Sequence, residues 1–259
     1  MGCHNIILNK DQLGRRWLIK NPVYIEQLNI TILQGSNVDC KSNNIMCIYE
    51  NSWPFLNPVV IIPEVRINLI KFEILKNLPK VHTRRKDLYI HIRGGDIFKP
   101  NPSRFYAQPP FCFYEKILNN NFFTNIYIIS QDKSNIIISA LIAKYKNIIH
   151  NIHNFEYDIS LLSHAYNIVI SVSSFALSSI KLNDNLKELW EYDIMRLSEK
   201  FKFLHHHFHK FKIQYKIHTM NPSDIYKSKM FSWNMLSDQI KLMLEDKCPY
   251  DFVLTEPKK

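Results

Sequence analysis

A chain of 259 residues with 46% hydrophobic content is long enough to bury one large core or two small ones, so disorder is not its default state. Its longest apolar runs, NIIISALIA and NPVVIIP, reach roughly half of the ~20 residues that a membrane span needs, and no charged-then-apolar leader opens it; neither a signal peptide nor an integral membrane segment is expected. The net charge of +10 comes from lysines scattered among Asn and Ile, which argues against a nucleic-acid partner and leaves the compartment open.

Residues 1–85 carry short β-branched runs (HNIIL, YIEQLNITIL, IMCIY, VVIIP) separated by turn residues, then RINLIKFEILKNL with apolar spacings of three and four. This predicts a small N-terminal α/β lobe. In residues 86–195, strands are predicted at 88–93, 125–130, 147–152 and 167–172, with helices between them. Gln108-Pro109-Pro110 lead into FCFYEKIL, where prolines suit a first helical turn. Ser134 is placed to cap NIIISALIAKY, and Asp158 or Ser160 to start SLLSHAY. Such alternation implies right-handed βαβ units and a doubly wound parallel sheet. Residues 196–259 read as a helical C-terminal segment, FKFLHHHFHKFKIQY and then KMFSWNMLSDQIKLMLEDK, the latter with a stripe of Met235, Leu236, Ile240, Met243 and Leu244.

The most informative stretch is LYIHIRGGDIF at 88–98, which holds two of only five glycines. A period of two points His91 and Arg93 to one face, and ligands of open α/β sheets bind beyond the carboxyl ends of the strands. Gly94 and Gly95 would let backbone N–H groups approach an anion, and Arg93 offers a planar fork for phosphate oxygens. Asp96 is placed to orient Arg93 or His91, or to accept a sugar hydroxyl; the bland alternative is a turn beside a surface cation. A second candidate is NIVISVSSFAL, where a strand ends at Ser171 to Ser174 and a helix begins, its N-terminus suited to an anion or its serine an ordinary cap. Gln131 and Asp132 follow a third strand, where they could read a base or ribose. The five cysteines (Cys3, Cys40, Cys47, Cys112, Cys248) form an odd set with no C-x-x-C spacing, so free core thiols are expected. Among His205, His206, His207 and His209 only the i, i+4 pair shares a helix face, and with no carboxylate or Cys nearby no metal site is expected.

The order strand, H-x-R-x-x-D (His91, Arg93, Asp96), Y-x-Q-P-P (Tyr106, Gln108, Pro109, Pro110), strand with an acid after it (Asp132), D-x-x-x-L (Asp158, Leu162) and S-x-S-S-F (Ser171, Ser173, Ser174, Phe175) resembles the glycosyltransferases of the fucosyltransferase superfamily. The likeness is nearest the α-1,2-fucosyltransferase type and covers about residues 65–195. It implies a GT-B-like fold in which 86–195 is a Rossmann-like donor-binding lobe for a nucleotide sugar, GDP-fucose favoured. It also implies metal-independent, inverting transfer to a hydroxyl of a glycan or protein acceptor, with no cofactor beyond the donor. Carried over by position, Arg93 meets the donor diphosphate with His91 beside it and Asp96 completing the catalytic group. Gly94, Gly95, Asp132, Ser173, Ser174, Phe175, Tyr106 and Gln108 then line the donor. Two departures stand out: the family's second arginine is here Gly94, and its S-F-S-W-W continuation is here Ser174-Phe175-Ala176-Leu177. The alternative from another class is a catalytically inactive nucleotide-sugar or glycan-binding module of the same fold.

Overall fold

The computed structural model describes residues 75–102, 106–193, 215–230 and 232–257, together with four short strands before them. The chain divides into two compact units, Met1–Pro79 and Lys80–Lys259. In the first, β1 (His4–Leu8), β2 (Val23–Ile25), β3 (Ile30–Gln34) and β4 (Ile45–Ile48) form a sheet of order β2-β3-β1-β4. β1 runs parallel to both β3 and β4, and β2 is antiparallel to β3. Parallel neighbours require crossover connections, so this sheet is not a simple meander. The VVIIP run and most of the helix predicted at RINLIKFEILKNL lie outside the described residues.

The second unit is built on one seven-stranded sheet: β5 (Leu88–His91), β6 (Ile126–Ile129), β7 (Ile148–His150), β8 (Asn167–Ile170), β9 (Glu188–Tyr192), β10 (Lys216–Met220) and β11 (Phe252–Thr255). Its order is β11-β10-β9-β8-β5-β6-β7, parallel throughout except for β11 at one edge. The chain winds outward from β5 to β7, returns to lay β8 against the other side of β5, and winds outward again to β10. That is the 3-2-1-4-5-6 order of doubly wound α/β sheets, which opens a crevice where the winding reverses.

All four residues of β5 are buried, because a parallel sheet of this kind is covered on both faces and has no solvated side. The polar face predicted from alternation is therefore interior as well: Tyr89 stacks on Tyr127 of β6 at 5.0 Å. Four helices follow strands as expected, but with different caps in two cases. α1 (Phe111–Asn120) begins directly after Pro110, and α4 (Ser174–Lys181) is capped by Ser173, whose hydroxyl accepts from the Ala176 amide. α2 (Ile136–Lys144) is capped by Asn135 instead of Ser134, and α3 (Phe155–His164) starts earlier than Asp158 or Ser160 because Asn154 accepts from the Tyr157 amide. A side-chain cap of this sort contributes about 1 kcal/mol, enough to set where a short helix begins.

The expectation of a wholly helical C-terminal segment is corrected. β10 and β11 extend the main sheet, and between them lie α5 (Asp224–Met230) and α6 (Ser237–Glu245). Met235 has a positive φ of 56° and Leu236 precedes α6, so the predicted stripe begins only at Ile240. The histidines at 205–209 lie outside the described residues. The expectation of free thiols is corrected at one pair: Cys112 in α1 and Cys248 after α6 form a disulfide, 136 residues apart. Constraining an unfolded loop of that length is worth about 4–5 kcal/mol in the chain-entropy account, so this bond ties the late chain to the sheet's first crossover helix.

Candidate functional site

The winding reverses between β5 and β8, and the residues that leave the carboxyl ends of these two strands meet there. Arg93 follows β5 by two residues. Its backbone is fixed from both sides: the amide donates to Ser171 Oγ after β8 at 3.0 Å, and the carbonyl accepts from Asn135 Nδ2 after β6 at 2.9 Å. The guanidinium lies 3.8 Å from the ring centroid of Tyr106, a cation–π stack, and bonds Asp96 through Nε (3.3 Å) and Nη2 (3.1 and 2.8 Å). Nη1 makes no hydrogen bond among the described residues. One planar cation thus stands at the crevice with its orientation set and part of its donor capacity unspent.

Gly95 serves a different end from the one the sequence suggested. Gly95 has φ +64°, which permits its amide to turn inward and donate to Asp132 Oδ1 (3.1 Å) and Ser134 Oγ (2.9 Å). That amide is spent inside the protein, so the expected use of the Gly95 N–H on a phosphate is corrected. At Gly94 a Cβ would stand 2.5 Å from Asp132 Oδ1 and 3.0 Å from Ser134 Oγ. The carboxylate cannot step aside cheaply, since it also accepts from the Ser134 amide and hydroxyl. Partial burial raises the pKa of Asp132, and the bonds from Ser134 and Gly95 outweigh that and leave it below its ordinary value. Asp132 is therefore an ionised anchor that packs the β5 loop onto the β6 loop. Gly95→Ala is expected to lower the unfolding free energy by about 1–2 kcal/mol, because an L-residue at this φ is strained. A urea midpoint unchanged from that of the native chain would refute the strain.

His91 ends β5, buried, with Nδ1 3.2 Å from Ser171 Oγ and its ring 5.6 Å from Phe175. Burial, with the charge of Arg93 adding to it, pushes its pKa down to about 3, so the imidazole is neutral at physiological pH. Phe175, in the first turn of α4, bridges His91 to Phe155 at the start of α3, the latter 5.1 Å away. Ser173 is buried as the α4 cap, and Ser174 opens the helix. The serine turn, His91 and Arg93 therefore share one end of the crevice. One turn beyond Phe155, Asp158 is 7% exposed, and its buried Oδ1 has no hydrogen-bond partner among the described residues. Burial raises its pKa to about 7.

Gln108 is corrected as a lining residue. It is fully buried, and its Nε2 donates to the Tyr106 carbonyl at 2.9 Å, which fixes the backbone of the stacking tyrosine. Two residues that sequence reasoning passed over brace the same loops. Tyr226 in α5 donates its hydroxyl to the Gln108 carbonyl at 2.6 Å, and Trp233 donates Nε1 to the Ile97 carbonyl at 2.8 Å, edge-on to Phe98. The signal available was the residue type itself, a Tyr and a Trp, since buried aromatics with polar handles seek partners. The group Cys112, Asp246 and Cys248 converges within metal-ligand distance, but its sulfurs are joined to each other, leaving one carboxylate to offer. Among the described residues no helix is long and apolar enough to cross a membrane. Comparison of the chain with models of known protein families, with curated proteins and with solved structures finds no match.

Proposed function

We propose that this chain is a glycosyltransferase of the fucosyltransferase type, transferring a sugar from a nucleotide donor, GDP-fucose favoured, to a hydroxyl of a glycan or protein acceptor. The carrying observation is Arg93: a guanidinium at the point where the sheet winding reverses, stacked on Tyr106 and flanked by the N-terminus of α4. In the reaction the acceptor oxygen attacks the anomeric carbon, the bond from that carbon to the diphosphate oxygen breaks, and the diphosphate leaves with the electron pair. The acceptor's proton passes to a base or to solvent, and the anomeric centre inverts. Charge grows on the leaving diphosphate, so a fixed cation there acts more strongly in the transition state than before it. In this reading that cation is Arg93, metal-independent, within a GT-B-like arrangement.

The guanine preference is supported by Asp158. A buried carboxylate oxygen without a partner among the described residues, one helical turn from the Phe155–Phe175–His91 ring contacts, suits a flat base that brings two adjacent N–H groups. Guanine offers N1–H beside its 2-amino group; uracil offers one N–H, and adenine offers none on its ring. A nucleotide-release screen of GDP-fucose, GDP-mannose and UDP-sugars with mixed glycan acceptors is expected to give turnover with a GDP-sugar alone. Turnover restricted to UDP-sugars would overturn the donor assignment.

One observation favours the rival reading of an inactive binding module. Each candidate base is compromised: Asp96 is paired to Arg93, Asp132 is held ionised by its donors, and His91 is neutral with a strongly lowered pKa. Calorimetric binding of a GDP-sugar with neither hydrolysis nor transfer would decide for that module.

A further inference from the structure

The contact between Arg93 and Asp96 is more specific than an ion pair. A guanidinium has a side edge, formed by Nε–H and one Nη2–H, and an end edge, formed by the other Nη2–H and one Nη1–H. Asp96 takes the side edge, with Nε to Oδ1 at 3.3 Å and Nη2 to Oδ2 at 2.8 Å. The end edge is left as a second fork of the geometry that phosphate oxygens accept in pairs. Resting on the reading of Arg93 as the diphosphate ligand, we propose that Asp96 is a positioning residue: it clamps the side edge of Arg93 so that the end edge is presented to the donor diphosphate.

Three features carry this. The Asp96 side chain is 65% exposed against 19% for Arg93, and a pair so open to water contributes little to stability, so holding the fold is a poor account of it. The backbone of Asp96 is rigid, because it sits in a 3-10 turn, Gly95–Phe98, pinned at one end by the Gly95 amide on Asp132 and at the other by Trp233 on the Ile97 carbonyl. The opposite constraint on the guanidinium is the ring of Tyr106, a residue whose backbone carbonyl accepts from Gln108 Nε2. A long arginine side chain loses rotamer freedom when it grips a ligand; here that loss is incurred before the ligand arrives. The negative charge of Asp96 opposes a diphosphate, but its exposure to water screens that repulsion.

The test is calorimetry with GDP and with inorganic pyrophosphate on the full chain and four variants: Asp96→Ala, Asp96→Asn, Arg93→Lys, and Asp96→Ala combined with Arg93→Lys. Asp96→Ala is expected to weaken both ligands about 5- to 10-fold although it removes a repelling charge, since the fork is no longer aimed. Asp96→Asn recovers most of that loss, because its Oδ1 still accepts from Nε. Lysine has no side edge, so Asp96→Ala adds nothing in the Arg93→Lys background, an outcome that a general structural effect of Asp96 would not give. Asp96→Ala binding pyrophosphate as tightly as the native chain, or more tightly, overturns the positioning role while leaving the functional reading in place. If the native chain binds neither GDP nor pyrophosphate, the reading of Arg93 itself fails.

Discussion

Arg93→Ala is expected to lower sugar transfer by about 10²- to 10³-fold, the cost of removing a preorganised donor from a developing negative charge. The loss should fall mainly on kcat, because in the proposed reaction a guanidinium so placed would interact more strongly with the departing diphosphate than with the intact donor. The fold should survive the change: the residue's structural bonds are made by its backbone, to Ser171 and Asn135, and both remain in alanine. Arg93→Lys keeps the charge but loses the fork and the flat stack on Tyr106, and an intermediate rate is expected. Transfer by Arg93→Ala at the native rate, from a chain that melts normally, would remove Arg93 from the mechanism.

The second large effect concerns Asp158 and has two signatures of opposite sign. Asp158→Asn is expected to weaken GDP binding by about 10²-fold or more, since the amide puts a donor where two base N–H groups need acceptors. In the native chain GDP affinity should rise with pH up to about 7 and then level off, because the carboxylate must be ionised to accept both. Stability moves the other way. The carboxyl has a folded pKa of about 7 against an ordinary 3.8, so its contribution to folding is full below the ordinary value and is lost as pH rises to about 7. Above that pH the native protein carries a buried charge that the amide of the Asp158→Asn variant lacks, so the variant should unfold at a higher temperature there. A variant both less stable at alkaline pH and unimpaired in GDP binding would refute the assignment.

The parallel part of the sheet is the portion of the fold that the sequence makes legible. β5, β6, β7 and β8 are short β-branched runs between turn residues, and their period and spacing carry the signal. β9 escapes a local reading because ELWEY carries two glutamates. In the fold Glu188 meets His218 and Glu191 accepts from Thr219, so their charge is accommodated by partners on β10 that no local window contains. β10 and β11 escape it for a related reason: KIHTM and FVLT are too short to outweigh the helical pattern around them, and only pairing with β9 and with each other makes them strands. At the site, the meeting of His91, Arg93 and the serine turn follows from strand ends alone, and so is legible. The partners are not. Where the Gly95 amide turns, and that Tyr226 and Trp233 hold the loops, are decided across 37 to 136 residues of sequence. Even the edge of Arg93 that its near neighbour Asp96 takes depends on a turn pinned by those distant groups.

Position 94 bears on any attempt to place here the second arginine of the fucosyltransferase motif that the sequence resembles. Gly94→Arg would bring a Cβ into the space of the Asp132 carboxylate, one of the two acceptors, with Ser134 Oγ, that turn Gly95 inward. The exchange is therefore not a single step: position 132 would have to become smaller, and Ser134 Oγ would be left to hold the Gly95 amide without the carboxylate. A small acid-free side chain at 132 and an arginine at 94 therefore form one unit of change, and only as a pair do they offer the crevice a second cation without a clash.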